Sequence, residues 1–113
     1  MITYGERCIF FTGDIENVTQ GDLVNEPPVF PLKADILKHP HHAYAKINAD
    51  LLKAVDPELV VVTGMKGQIE DALRRLDYYK IPWIRPWPKA LQLQTDGKTW
   101  VLDYPEWAVP MGN

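Results

Sequence analysis

The chain has 113 residues, of which 46% are hydrophobic and 24% charged, and its 12 basic and 15 acidic residues leave a net charge of −3. That length suits one compact domain, residues 1–113, with a core that needs neither disulfide nor metal. The intermixed charges exclude a basic nucleic-acid-binding stripe, and the short apolar runs exclude a membrane span, which takes ~20 residues.

Arg7 to Thr12 reads as a first strand that stops at Gly13-Asp14. Glu6 and Arg7 interrupt the N-terminus before any signal-peptide core develops, and the single cysteine, Cys8, excludes an internal disulfide, so the expected compartment is the cytoplasm. Cys8 precedes a very apolar run and reads as a buried, inert thiol. The polar stretch from Ile15 to Pro31, with Gly21, Asn25 and Pro27-Pro28, reads as an ordered loop or a short extra hairpin. Leu32 to Lys38 is expected to make a short helical turn.

Helical spacing of Tyr44, Ile47, Leu51, Leu52 and Val55 predicts a helix over 41–55, with Pro40 at its first position and Asp56-Pro57 ending it. Leu59-Val60-Val61-Val62 is then an apolar run of the kind buried on both faces in parallel sheets, giving a strand over 59–63 that breaks at Gly64. A second helix is predicted over 68–79, its inner stripe marked by Ile69, Ala72, Leu73 and Leu76, with Tyr79 or Lys80 completing it. Glu70 with Arg74 and Asp71 with Arg75 form i,i+4 pairs on its outer face. A third strand follows near 82–85. Two alternating runs around Asp96-Gly97 predict a hairpin over 90–103 that extends the sheet antiparallel. Tyr104 to Trp107 has no regular pattern.

These elements predict a small two- or three-layer α/β domain with a short parallel sheet. The phrase from Leu51 to Val62, a helix followed by Asp56-Pro57-Glu58-Leu59-Val60 and a glycine turn, resembles one found in many Rossmann-like proteins. The resemblance covers about a third of the chain, implies a Rossmann-like fold, and carries over no functional residue.

The expected site is the strand-to-helix turn at 63–68, since ligands collect where strands end and helix N-termini point. Gly64 and Gly67 let the backbone approach a ligand, and Lys66 adds positive charge. Phe11-Thr12-Gly13 stops as Val62-Thr63-Gly64 does, so Thr12 and Thr63 are expected on one rim as hydroxyl partners, with Asp14 opposite. Together these suit a nucleotide or phosphorylated metabolite. The competing reading takes the glycines as plain turn builders and Asp14 as an Asx-turn residue.

His39, His41 and His42 flank Pro40, but no cysteine pair or H-x-x-x-H accompanies them, so a solvated helix entry is favoured over a metal site. The chain contains no serine, which removes serine-based nucleophilic catalysis, and no acid–base pair stands out. Whether it is an enzyme, and with what cofactor, does not follow from the residues. The alternative is a protein-interaction module, an inhibitor, adaptor or assembly subunit, anchored by Arg85, Trp87 and Trp107 in the C-terminal segment that holds all four tryptophans.

Overall fold

A computed structural model describes the chain except residues 14–16, 26–30, 44–45, 65–68, 87–90, 105–106 and 112–113, with only the backbone described at 17–18, 41, 102–104 and 107–111. The main sheet has five strands: β1 (Ile2–Tyr4), β2 (Arg7–Phe11), β3 (Ile36–Lys38), β4 (Leu59–Val61) and β5 (Trp83–Ile84). They lie in the order β1-β2-β3-β4-β5; β1 is antiparallel to β2, and β2 to β5 run parallel. Helices α1 (Asn17–Asn25), α2 (Ala49–Val55) and α3 (Glu70–Tyr78) fill the three crossovers. A separate antiparallel sheet follows, made of β6 (Gln92–Thr95), β7 (Trp100–Tyr104) and β8 (Trp107–Met111).

Side chains alternate across the main sheet and sort into two cores. On one face Phe10, Leu37, Val60 and Val62 pack with Leu51, Leu52 and Val55 of α2 and Ala72 and Leu76 of α3. On the other, Ile36, Leu59 and Ile84 meet Trp100, with Ile9, Val61, Leu91 and Leu93 half-buried around them. The layers are therefore helices, mixed sheet and C-terminal sheet. Each fully buried Leu or Ile contributes about 1.5–3 kcal/mol by leaving water.

The class is α/β, and the strands near 7–12, 59–63 and 82–85 lie where the apolar runs put them. β4 is flanked on both sides, as its unbroken apolar run requires. The sequential strand order, however, lacks the reversal that creates a crevice in doubly wound sheets. Five expectations need correction, the first being Tyr104 to Trp107: the segment without a regular pattern ends β7 and opens β8, which pair antiparallel. Leu32 to Lys38 is not a helical turn but leads into β3, which both neighbours pair over three residues. The stretch expected as loop or hairpin contains α1; its buried Gln20 donates from Nε2 to Lys46 O (3.3 Å) and accepts at Oε1 from Asn48 N–H (2.6 Å). The helix expected over 41–55 is divided: Pro40–Ala43 makes a 3-10 turn, and α2 starts only at Ala49, capped by Asn48. His42 (φ 51°) and Ala43 (φ 68°) take left-handed conformations that no α-helix continues through. Finally, the hairpin does not extend the main sheet but packs face to face on it through Trp100.

Helix α3 occupies 70–78 within the predicted 68–79 and buries Ile69, Ala72 and Leu76 as its stripe requires, while Tyr79 stays exposed. Arg74 pairs with Asp71 at i,i+3 rather than with Glu70, and Arg75 lies over the Tyr79 ring at 5.8 Å. Among the described residues no helix is long and apolar enough to cross a membrane.

Candidate functional site

The carboxyl ends of β2 to β5 form one rim, where Gly13, His39, Thr63 and Arg85 follow their strands. The register aligns Phe11, Lys38, Val61 and Ile84 across the sheet. Thr12 is thus level with Val62, and Thr63 lies one residue further on. Because one residue reverses the face, the two threonines share the rim but not the side of the sheet. Thr12 is buried toward the helices and donates its hydroxyl to Lys38 O at 2.8 Å. Thr63 is exposed on the opposite side, beside Lys38.

Gly64 is buried, and a Cβ there would lie 2.2 Å from His42 O and 2.3 Å from Ile69 Cγ2. Its hydrogen is what lets the 3-10 turn close over the end of β4. The glycine therefore serves the chain's own packing at this point. Asp14, Lys66 and Gly67 lie outside the described residues, as do Trp87 and the side chains of His41 and Trp107. Arg85 is half-buried, and its Nε and Nη2 atoms are enclosed with no acceptor among the described residues.

Two polar groups left without a role by the sequence, His42 and Lys38, lie near Thr63, and a third, His39, directly follows Lys38 at the end of β3. His42 Nδ1 is hydrogen-bonded to Thr63 Oγ1 at 2.8 Å, tying the left-handed turn to the end of β4. Lys38 closes β3, its Nζ 3.4 Å from Gly13 O and 3.3 Å from His39 O. His39 is fully buried, and its Nδ1 lies 3.0 Å from Pro40 O. A carbonyl only accepts, so Nδ1 carries the proton and Nε2 is a bare lone pair, without a donor among the described residues. Burial lowers this imidazole's pKa, the Pro40 hydrogen bond partly opposes that shift, and the Lys38 charge lowers it further. The one sequence signal for Lys38 was its position, a single charge closing the apolar run before His39-Pro40.

Below this rim, between the two sheets, lies a cavity of about 530 Å³. Ile9, Phe11 and Val61 form its main-sheet wall, Leu91, Leu93 and Trp100 its far wall, and Lys38 and Thr63 are its polar members at the strand ends. Trp100 is 6% exposed, and its indole N–H finds no acceptor among the described residues. That volume falls within the ~300–1,000 Å³ of small-molecule sites, and a mostly apolar wall with a few placed polar groups is their usual composition. Among the described residues no three His, Cys, Asp or Glu side chains cluster to hold a metal. No family model, curated protein or solved structure matches the chain.

Proposed function

We propose that this chain binds a small anionic molecule at the carboxyl rim of its parallel strands. The observation that carries the reading is the placement of the Lys38 ammonium and the His42-anchored Thr63 hydroxyl on one side of the sheet, at the polar end of a cavity. The strained pair His42 and Ala43 supports it, since non-glycine residues held at positive φ cost energy that the surrounding structure must offset and cluster at functional sites. In sequence Asp14 directly follows Gly13, and Lys66 and Gly67 lie two and three residues after Gly64. Lys66 is a second counter-charge in this reading, and a nucleotide or phosphorylated metabolite remains within the class of ligand.

Thermal shift with phosphate, nucleotides and simple carboxylates tests it. At least one anion raises the melting temperature at saturation, and Lys38→Met or Lys66→Ala weakens that anion by about tenfold or more, as loss of a charge-assisted hydrogen bond would. A dominant Lys38 effect puts the anion at the cavity, and a dominant Lys66 effect puts it at the turn. If no anion stabilises the protein, the reading fails.

The second reading, a protein-interaction module, is favoured by a different observation. Ile2, Tyr4 and Phe11 lie on one face of the β1–β2 edge and are 60%, 62% and 52% exposed. This exposed apolar patch would be the anchor surface; Arg85 follows β5 at the opposite edge of the sheet and is not part of it. It predicts that Tyr4→Ser abolishes association detected by sedimentation velocity while leaving anion binding unchanged. A chain that stays monomeric at all concentrations gives this reading no support from self-association.

A further inference from the structure

We infer that the ligand is an amphipathic acid, whose carboxylate meets Lys38 and Thr63 and whose aliphatic or aromatic body fills the cavity between the two sheets. This rests on the anion reading above and specifies what lies behind the anion. A nucleotide or sugar phosphate would place hydroxyls and ring nitrogens against Ile9, Val61, Leu91 and Leu93, none of which offers a side-chain hydrogen bond. Burying those polar groups without partners would cost more than the phosphate gains at one ammonium. An apolar body has no such penalty, and each methylene transferred from water contributes on the scale of ~0.8 kcal/mol. The polar members of the cavity also agree in sign. Lys38 donates, and beside it at the strand ends Thr63 donates when its oxygen accepts from His42 Nδ1. A carboxylate head supplies only acceptors, so it matches this set.

The cavity owes its apolar character to the alternation that sets the fold. Ile9, Phe11 and Val61 face it because Cys8, Phe10, Val60 and Val62 face the helices, and Trp100 holds the second sheet at one end. The ligand body thus lies between the two sheets, with its head at the strand rim that holds Lys38, whose ammonium also contacts Gly13 O and His39 O.

Isothermal titration calorimetry on the full chain tests this with straight-chain carboxylates from butanoate to decanoate, with 1-octanol and with inorganic phosphate. Affinity should rise about fourfold per added methylene until the cavity is full. Octanoate should bind at least about tenfold tighter than 1-octanol, a margin that Lys38→Met removes. Leu93→Trp, which fills the cavity from the outer sheet, should flatten the chain-length series while circular dichroism stays native. Should Leu93→Trp fail to fold, the wild-type series and the octanoate–octanol margin decide alone. If butanoate or phosphate binds in a Lys38-dependent way but longer chains bind no tighter, the amphipathic assignment is overturned and the anion reading stands. If no carboxylate binds, the amphipathic assignment is overturned, and the anion reading falls with it when phosphate and the nucleotides of the thermal-shift series also fail. A series that survives unchanged in both variants means adsorption elsewhere, and overturns this assignment.

Discussion

Replacing Gly64 with alanine separates a glycine needed for packing from one needed for a ligand. The added Cβ would sit 2.2 Å from the His42 carbonyl oxygen and 2.3 Å from Ile69 Cγ2, whereas ordinary contact begins at 3.4 Å. Relief requires a movement of about 1 Å in a close-packed region. The His42 carbonyl is backbone inside a turn that already holds two left-handed residues, and Ile69 is 1% exposed. Neither yields cheaply, and overpacking of this kind costs about 2–3 kcal/mol. For a domain of this size that lowers the melting temperature by about 8–12 °C. Gly21 is the control: it lies within α1, where a Cβ would meet nothing closer than Asn48 Nδ2 at 3.7 Å. Alanine there should stabilise by about 0.5–1 kcal/mol through helix propensity and a less flexible unfolded chain. Urea denaturation of both variants, without any ligand added, reads the opposite signs directly. A Gly64→Ala protein within about 0.5 kcal/mol of the parent would refute the packing argument and return Gly64 to the ligand site.

Two further outcomes follow from the rim and its supports. His39 titrates in the folded chain below its ordinary value near 6.5, so between those two values the unfolded chain binds a proton that the folded chain does not; stability should fall as pH drops below about 6.5, by at most about 1.4 kcal/mol per pH unit, and His39→Gln should flatten that slope in urea melts at pH 7 and 5. Asn48 Oδ1 accepts from the N–H groups of Asp50 at 2.8 Å and Leu51 at 3.1 Å, so Asn48→Ala should cost about 1 kcal/mol in the same assay while Asn48→Asp retains most of the stability.

The strands that hold apolar runs were legible because burial on both faces leaves a contiguous signature, as in Leu59 to Val62. Strand β3 was not, because Ile36–Lys38 is three residues long, ends in a charge, and exists through hydrogen bonds to partners distant in sequence. Helix α1 carries Val18, Thr19 and Gly21, poor helix formers, and is held by tertiary contacts such as those of Gln20. The premature end of the helix expected from His41 depends on His42 and Ala43 adopting positive φ, which neither residue type advertises. At the rim, the two Thr-Gly strand ends were readable, but their one-residue offset was not, because it is set by pairing through the unseen β3. The cavity could not be read either, since its walls come from strands at both ends of the chain and from a sheet that packs on its neighbour instead of extending it.

The central claim, a ligand seated between the sheets with its acid at Lys38 and Thr63, is most directly tested by heteronuclear NMR of the labelled chain titrated with octanoate. Saturable shifts should concentrate at the Lys38 and Thr63 amides and the Trp100 indole N–H, with the amides of Leu52 in α2 and Leu76 in α3 unmoved. Shifts confined to the helical face, or no saturable shift at any soluble octanoate concentration, would contradict it.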